Sequence, residues 1–300
     1  MKPKTPEAEI NIDKELAKLL IESQHPDLSH LPLAYLNSGW DNTLFTLGAE
    51  YIVRLPRRKV AAQLLENEQK WLPIIAEELP IQVPKPYRVG KPDKNYPWHW
   101  SITPWYKGQT ADEEYIDNDQ AFIFAQFLKK LHTPSPKNAP KNPLRGIPLI
   151  NRKKDVESWM SFSKSKTNLL TKEIEQIWEK ALDTDTHKQD CWIHGDLHPC
   201  NVIIDNNKIQ AIIDWGDIAS GDPATDLSST WMLFHTSSAR NTVIKTYNPS
   251  QALVSRAKGW SIFFGTFFLA SGLNGNQKHY KIGGSILKNL NQDEVKIKNS

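Results

Sequence analysis

His194-Gly195-Asp196-Leu197-His198-Pro199-Cys200-Asn201, followed thirteen residues after Asn201 by the aspartate of Ile213-Asp214-Trp215-Gly216-Asp217, decides how this chain is read. Short apolar runs flank each polar group: Cys191-Trp192-Ile193 enters the first stretch, Asn201 to Asp205 leaves it, and Ile209 to Asp214 leads into the second. Such runs, bounded by Gly, Pro, Asn and Asp, predict strands joined by tight loops. Asp196 and Asn201 then share one loop, and Asp214 ends the next strand and can face them. Rigid elements thus hold three oxygen-bearing side chains near one another.

Working outward, Ala224 to about Leu290 reads as helical, and Gly259 to Leu273 is an apolar run shorter than the roughly 20 residues a spanning helix requires, so it predicts a buried helix. Upstream, Ile174 to Leu182 and Gln120 to His132 read as helices, separated by Thr133 to Lys154, a connector with five prolines and mostly basic charge. Arg152-Lys153-Lys154 reads as a solvated helix start. Nearer the N-terminus, Thr43 to Leu47 and Tyr51 to Leu55 flank Gly48-Ala49-Glu50 as a hairpin. The polar cluster Asn37 to Asn42 precedes it, and Val60 to Leu79 returns to helical spacing. Pro80 to Pro97 is extended, and Trp98 to Trp105 alternates like a strand. Glu7 to Glu22 opens the chain as an amphipathic helix through Ile12, Leu16, Leu19 and Leu20. Strands with one helix, a connector, then mostly helices make an α+β fold in two lobes.

Composition narrows the classes. The 300 residues carry a net charge of +3 with 39% hydrophobic residues and 11 Trp, the profile of a globular chain with a real core and not of a disordered one. Two cysteines make no disulfide scaffold. The charged start Met1 to Glu7 has no apolar segment behind it, which predicts no secretory signal, and hence a cytoplasmic protein with no membrane association. Arg152-Lys153-Lys154 lacks the basic and aromatic interleaving of a nucleic-acid site, and no obligate protein partner is indicated.

A carboxylate base, a carboxamide and a second carboxylate suit Mg-assisted phosphoryl transfer. Mg takes oxygen ligands, here Asn201 and Asp214, and keeps water and phosphate oxygens for the rest. Asp196 would orient and deprotonate an acceptor hydroxyl.

On these residues the chain resembles the aminoglycoside phosphotransferase family of kinase-like small-molecule phosphotransferases. His194 to Asn201 matches its H-G-D-x-x-x-x-N pattern, Ile213 to Asp217 its I-D-[FW]-x-[DE] pattern, and Gly221-Asp222-Pro223-Ala224-Thr225-Asp226 its G-D-P-x-x-D continuation. The resemblance implies a protein-kinase-like two-lobed fold: an N-terminal nucleotide-binding lobe over residues 1–103 with an antiparallel sheet and a helix, a linker over 104–108, and a mainly helical catalytic and acceptor-binding lobe over 109–300. It implies transfer of the γ-phosphoryl group of ATP or GTP to a small-molecule hydroxyl, with the family's association with antibiotic resistance. Ser38 and Gly39 lie where the family has its nucleotide-covering turn, and Arg54 where a phosphate-binding Lys would stand. Glu68 matches that residue's acidic partner, and Thr103 to Gly108, with Trp105, matches the segment whose backbone reads the purine. His194 and Asp226 are expected to support the catalytic loop, Asp226 by accepting backbone hydrogen bonds.

Two departures stand out. Arg54 offers a fork in place of an ammonium, and Arg54-Leu55-Pro56-Arg57-Arg58 resembles a run in macrolide-kinase relatives. The Ser38-Gly39 turn is glycine-poor. The spacing Cys191-x-x-His194-x-x-x-His198-x-Cys200 invites a zinc site, but strand alternation sends Cys191 and His194 to opposite faces, and the phosphotransferase pattern already accounts for His194. A catalytically weak pseudokinase or regulator is the competing class; intact Asp196, Asn201 and Asp214 argue against it. The acceptor is read from residues 227–300, whose nine basic residues against Asp293 and Glu294 give +7, leaving −4 for the rest of the chain. That segment is rich in Trp231, Phe234, Trp260, Phe263, Phe264, Phe267 and Phe268. It suits a macrolide-like or other partly apolar acceptor better than a polycationic aminoglycoside.

Overall fold

The computed structural model describes residues 6–187 and 189–298, with side chains through Glu294. The start Met1 to Thr5, read above as lacking a secretory signal, and the last two residues, Asn299 and Ser300, lie outside the described residues.

The hairpin expected around Gly48 is the centre of an antiparallel five-stranded sheet. Strands β1 (Leu33–Ser38), β2 (Asn42–Leu47), β3 (Tyr51–Pro56), β4 (Arg88–Gly90) and β5 (Trp100–Pro104) lie in the order β1-β2-β3-β5-β4. Period-two alternation buries Thr43, Phe45 and Leu47 on one face of β2. Phe45, Val53, Leu55, Trp100 and Ile102 close a core over Ala17, Leu20 and Ile21 of helix α1 (Lys14–Gln24). That helix begins later than its apolar spacing suggested. Asp13 caps it, accepting from the Leu16 N–H at 2.8 Å, and the Glu9 N–H is committed to the Arg57 carbonyl, which holds the preceding residues out of a helix. Strand β1 was not expected; it is an exposed edge with no alternation to betray it, and only residues 39–41 remain as the turn.

Helix α2 (Lys59–Ile75) joins this sheet to a second core. Its Trp71, Leu72 and Ile75 pack with the helical part of the chain, the Trp71 ring 5.0 Å from that of Trp192. That part comprises β6 (Gln109–Thr110), α3 (Gln120–Leu131), α4 (Lys153–Lys164), α5 (Lys172–Leu182), β7 (Cys191–Ile193), β8 (Val202–Asp205), β9 (Lys208–Ile212), β10 (Ala219–Gly221), α6 (Ala224–Leu227), α7 (Thr230–Leu233), α8 (Ser237–Tyr247), α9 (Gln251–Leu273) and α10 (Gln277–Lys298). Strands β6, β8 and β9 form a small sheet, and β10 pairs with β7. The connector between α3 and α4 is irregular apart from a short 3-10 turn at Leu149–Arg152, and α4 starts at Lys153. The apolar run expected to be buried is α9, which packs on α4, α5, α6 and α10. Backbones of α9 and α10 approach closely at Gly283, where a Cβ would stand 2.5 Å from the Leu269 nitrogen. Among the described residues no helix is long and apolar enough to cross a membrane.

Candidate active site

The loop after β7 is fixed from below by one buried carboxylate. Asp226, fully buried in α6, accepts from the backbone N–H of His194 at 2.6 Å and of Gly195 at 2.9 Å, and the His132 ring stands 3.4 Å away. Gly195 has φ +86°, and a Cβ there would lie 2.8 Å from the Asp217 carbonyl, so the turn requires glycine. The His194 ring is consumed by backbone: Nε2 faces the Ile213 carbonyl at 2.9 Å and Nδ1 the Asp196 N–H at 3.2 Å. A carbonyl only accepts and an N–H only donates, which assigns the proton to Nε2. His194 therefore spans the two halves of the motif as a strut.

That frame presents Asp196. Arg145 donates to its Oδ1 at 2.9 Å, His198 Nε2 stands 3.2 Å from Oδ2, and Asn201 Nδ2 donates to its carbonyl at 2.9 Å. Burial alone would raise its pKa, but the His198 and Arg145 charges overcome burial and hold the carboxyl well below the usual range. Reciprocally, burial would lower His198, while Asp196 lifts it to about 10. Edge-on contacts with Phe264 and Phe268 seat the His198 ring, and the Arg145 guanidinium lies over Phe264 at 4.9 Å. Asp217, pressed by burial and by Asp196, rises to about 6 although Asn142 donates to it at 2.5 Å.

Asn201 and Asp214 come together because the Ile213 N–H donates to the Asn201 carbonyl at 2.9 Å. Asp214 adopts a left-handed backbone, φ +62°, which costs a non-glycine residue free energy. Neither its carboxylate nor Asn201 Oδ1 accepts a hydrogen bond from the described residues, and both residues line the same cleft. Two unclaimed oxygen-bearing groups of hard character fit Mg, which takes its other ligands from water and phosphate. No three His, Cys, Asp or Glu side chains stand ready for a metal among the described residues, so the cysteine–histidine spacing makes no zinc site.

The cleft, about 940 Å³, is roofed by the five-stranded sheet and floored by these loops. Of the residues singled out in the sequence, Gly39, Arg54, Thr103, Trp105, Asp196, Asn201 and Asp214 line it; Ser38, Glu68, His194 and Asp226 do not. Arg54 is nearly buried and ion-paired with Glu68, itself fully buried on α2. Ser38 instead faces solvent, its hydroxyl 3.1 Å from that of Thr43. The Gly39 N–H is spent on the Asn42 carbonyl, and Arg57 donates to the Gly39 carbonyl at 2.6 Å, so the turn is braced by the run after β3. In the Thr103 to Gly108 segment Pro104 has no N–H and that of Trp105 is taken by the Glu50 carbonyl, which leaves Tyr106 as the next backbone donor.

Arg145 was missed in the sequence. It lies in the proline-rich connector, where Asn142 Oδ1 accepts from the N–H groups of Leu144 and Arg145; an Asn-Pro pair initiating a turn was the available signal. His198 was weighed only as a zinc ligand.

The sequence model of the phosphotransferase enzyme family (APH) matches residues 33–256, about three quarters of the chain. This chain belongs to that family. Its matched span runs from β1 into α9 and includes Gly39, Arg54, Thr103, Trp105, Asp196, Asn201 and Asp214, while the cleft aromatics Phe264, Phe267 and Phe268 lie beyond it. Among curated proteins, it is 26% identical over 200 residues to the uncharacterised YcbJ of Bacillus subtilis, covering 60% of this chain and 61% of that protein. It is 27% identical over 142 residues to an aminoglycoside 3'-phosphotransferase of Salmonella typhimurium, covering 44% of this chain and 51% of that one. The chain thus spans between half and about three fifths of the length of these relatives. Among solved structures, the GDP complex of aminoglycoside 2'-phosphotransferase-IIIa superposes with a TM-score of 0.64 at 18% identity, covering 94% of this chain and all (100%) of that one. The macrolide 2'-phosphotransferase MphH of Brachybacterium faecium gives 0.59 at 18% identity over 92% of this chain and 98% of that one. At such identities these family members share the kinase-like α+β fold.

Proposed function

We propose that this chain is a small-molecule kinase that transfers the γ-phosphoryl group of ATP or GTP to a hydroxyl of its acceptor. One observation carries the reading: an ionised Asp196 and the unclaimed amide oxygen of Asn201 and carboxylate of Asp214 share a single cleft with the buried cation Arg54. The lobes would divide at residues 104–108, the sheet side (1–103) holding nucleotide and the helical side (109–300) the acceptor. An intracellular phosphoryl donor makes the cytoplasm its place of action.

Arg54, braced by Glu68, would bind donor phosphates, with Gly39 above them and the Thr103 to Gly108 backbone at the purine. Bound Mg, held by Asn201 and Asp214, would neutralise charge on the phosphates. Asp196 would accept a hydrogen bond from the acceptor hydroxyl, orient its oxygen toward the γ-phosphorus and take its proton as the new P–O bond forms and the bond to the β-phosphate oxygen breaks. Arg145 and His198 fix the rotation of that carboxylate. The acceptor wall carries Phe264, Phe267, Phe268 and His279 beside Arg145 and Lys278, which supports a macrolide-like or other partly apolar acceptor.

Mg-dependent phosphate transfer from ATP and GTP, across aminoglycosides, macrolides and small hydroxylated metabolites, tests the reading. Wild type should modify at least one acceptor, and D196N should lose about a hundredfold or more in kcat. Equal rates in the two proteins remove Asp196 from the chemistry, and nucleotide binding without transfer to any acceptor replaces the kinase with a nucleotide-binding regulator.

A further inference from the structure

The mouth of the cleft on the helical side contains a cation that belongs to the protein itself. Lys278, the second residue of α10, reaches across to the loop after β6, where its Nζ stands 2.8 Å from Asp112 Oδ2 and 3.3 Å from Glu113 Oε1. Glu113 and Lys278 line the cleft, and a run of rings leads there from the catalytic loop, His198 to Phe268 at 5.2 Å and Phe268 to His279 at 5.0 Å. Asp112 is the unusual member: its side chain is 2% exposed, and neither oxygen has a hydrogen bond of good geometry. A carboxylate buried in that way demands a cation, because desolvation without a partner is costly. Lys278 supplies it from a helix 166 positions further along the chain, through a side chain that is still 44% exposed.

We propose that Lys278 is a specificity-determining residue: its ammonium occupies an acidic subsite that an amino group of a cationic acceptor would otherwise fill. The inference rests on the kinase reading and names its acceptor class. A tethered ammonium competes at a high effective concentration, so a soluble amine must displace it before reaching Asp112. A neutral or weakly basic acceptor needs no such exchange and meets Phe267, Phe268 and His279 directly. Of the nine basic residues in 227–300, Lys278 is, among the described residues, the one that lines the cleft.

Kanamycin binding, measured by calorimetry at low salt without nucleotide, tests this independently of phosphoryl transfer. K278M keeps most of the apolar stem and removes the charge. It should bind kanamycin about tenfold more tightly than wild type or better, the scale of a close charge pair. Its melting temperature should fall below that of wild type and recover more on adding kanamycin, since the ligand re-pairs Asp112. The double variant D112N/K278M should return to wild-type affinity. Equal kanamycin affinity in wild type and K278M overturns the proposal, as does a gain that survives in D112N/K278M. Should the binding gain appear in a protein that transfers phosphate to no acceptor, the kinase reading falls and the role of Lys278 as a tethered cation stands.

Discussion

Removing Glu68 isolates the buried charge on which the sheet side of the cleft depends. Glu68 is fully buried, Arg54 is 8% exposed, and each is the other's ion-pair partner. E68Q keeps the shape and leaves a guanidinium facing a neutral amide in the interior. Breaking a buried pair from one side costs roughly 3–5 kcal/mol, at least about a fifth of the roughly 5–15 kcal/mol that holds a typical domain together. With a urea slope of about 3 kcal/mol/M, the unfolding midpoint, followed by tryptophan fluorescence, should drop by about 1 M or more. The companion variant R54M/E68L removes both charges and should recover to within about 1 kcal/mol of wild type, because an apolar replacement of a buried pair is often neutral. Nucleotide affinity behaves differently: it should fall in both variants, since Arg54 serves the cleft as well as the core. A cost below about 1 kcal/mol for E68Q, or a double variant no more stable than the single one, would show that water relieves the Arg54 charge and refute the argument.

The same assays reach the loop after β7. D226N turns an NH2 toward one of two backbone N–H groups that the carboxylate now accepts, and charge-assisted bonds are worth roughly 1.5–3 kcal/mol each; the variant should lose about 2–4 kcal/mol and most transfer activity. Asp217 sets a pH dependence: its folded pKa of about 6 lies above the ordinary carboxylate value, so the folded state binds the extra proton. Stability should therefore decline as pH rises from about 4 through 6, relative to D217N, in which that slope disappears; parallel curves for the two proteins would exclude Asp217 as the titrating group.

How much of this was legible in the sequence depended on the distance over which each feature is determined. The β2–β3 hairpin declared itself through alternation around Gly48, and the motif loop through apolar runs that stop at Gly195 and restart at Val202. Helix α9 was visible as an apolar stretch too short to span a membrane. What escaped notice either carries no apolar pattern or is decided by partners far along the chain. β1 is exposed along nearly its whole length, so no periodicity marks it, and β6 and β10 are two and three residues whose identity as strands rests on Ile203–Ile204 and on Trp192. Helix α1 seemed to start at Glu7 because apolar spacing runs through the cap at Asp13. Arg145 and Asp196 are 51 residues apart, one in a proline-rich loop without pattern, and only the closed fold joins them.

The electrostatics of the cleft constrain how a donor would enter it. Asp41, Asp196, Asp214 and Asp217 all line the space, and the nearby cations are already committed: Arg58 to Asp41 at 2.7 Å, Arg54 to Glu68, and Arg145 and His198 to Asp196. Burial raises Asp41 and Asp217, and the charges of Asp196 and Asp214 raise them further, which is the mark of negative charge in excess of its compensation. Asp214 alone among these four has neither a salt bridge nor a hydrogen bond from the described residues, and it is held in a left-handed conformation that an unstrained chain would avoid. A bare triphosphate approaching this surface would find two guanidinium groups, Arg54 and Arg145, each already paired with a carboxylate, and several carboxylates besides. Under the proposed kinase reading the nucleotide therefore has to arrive with its divalent cation, and the charge that Asp214 leaves unpaired is the feature that would receive it.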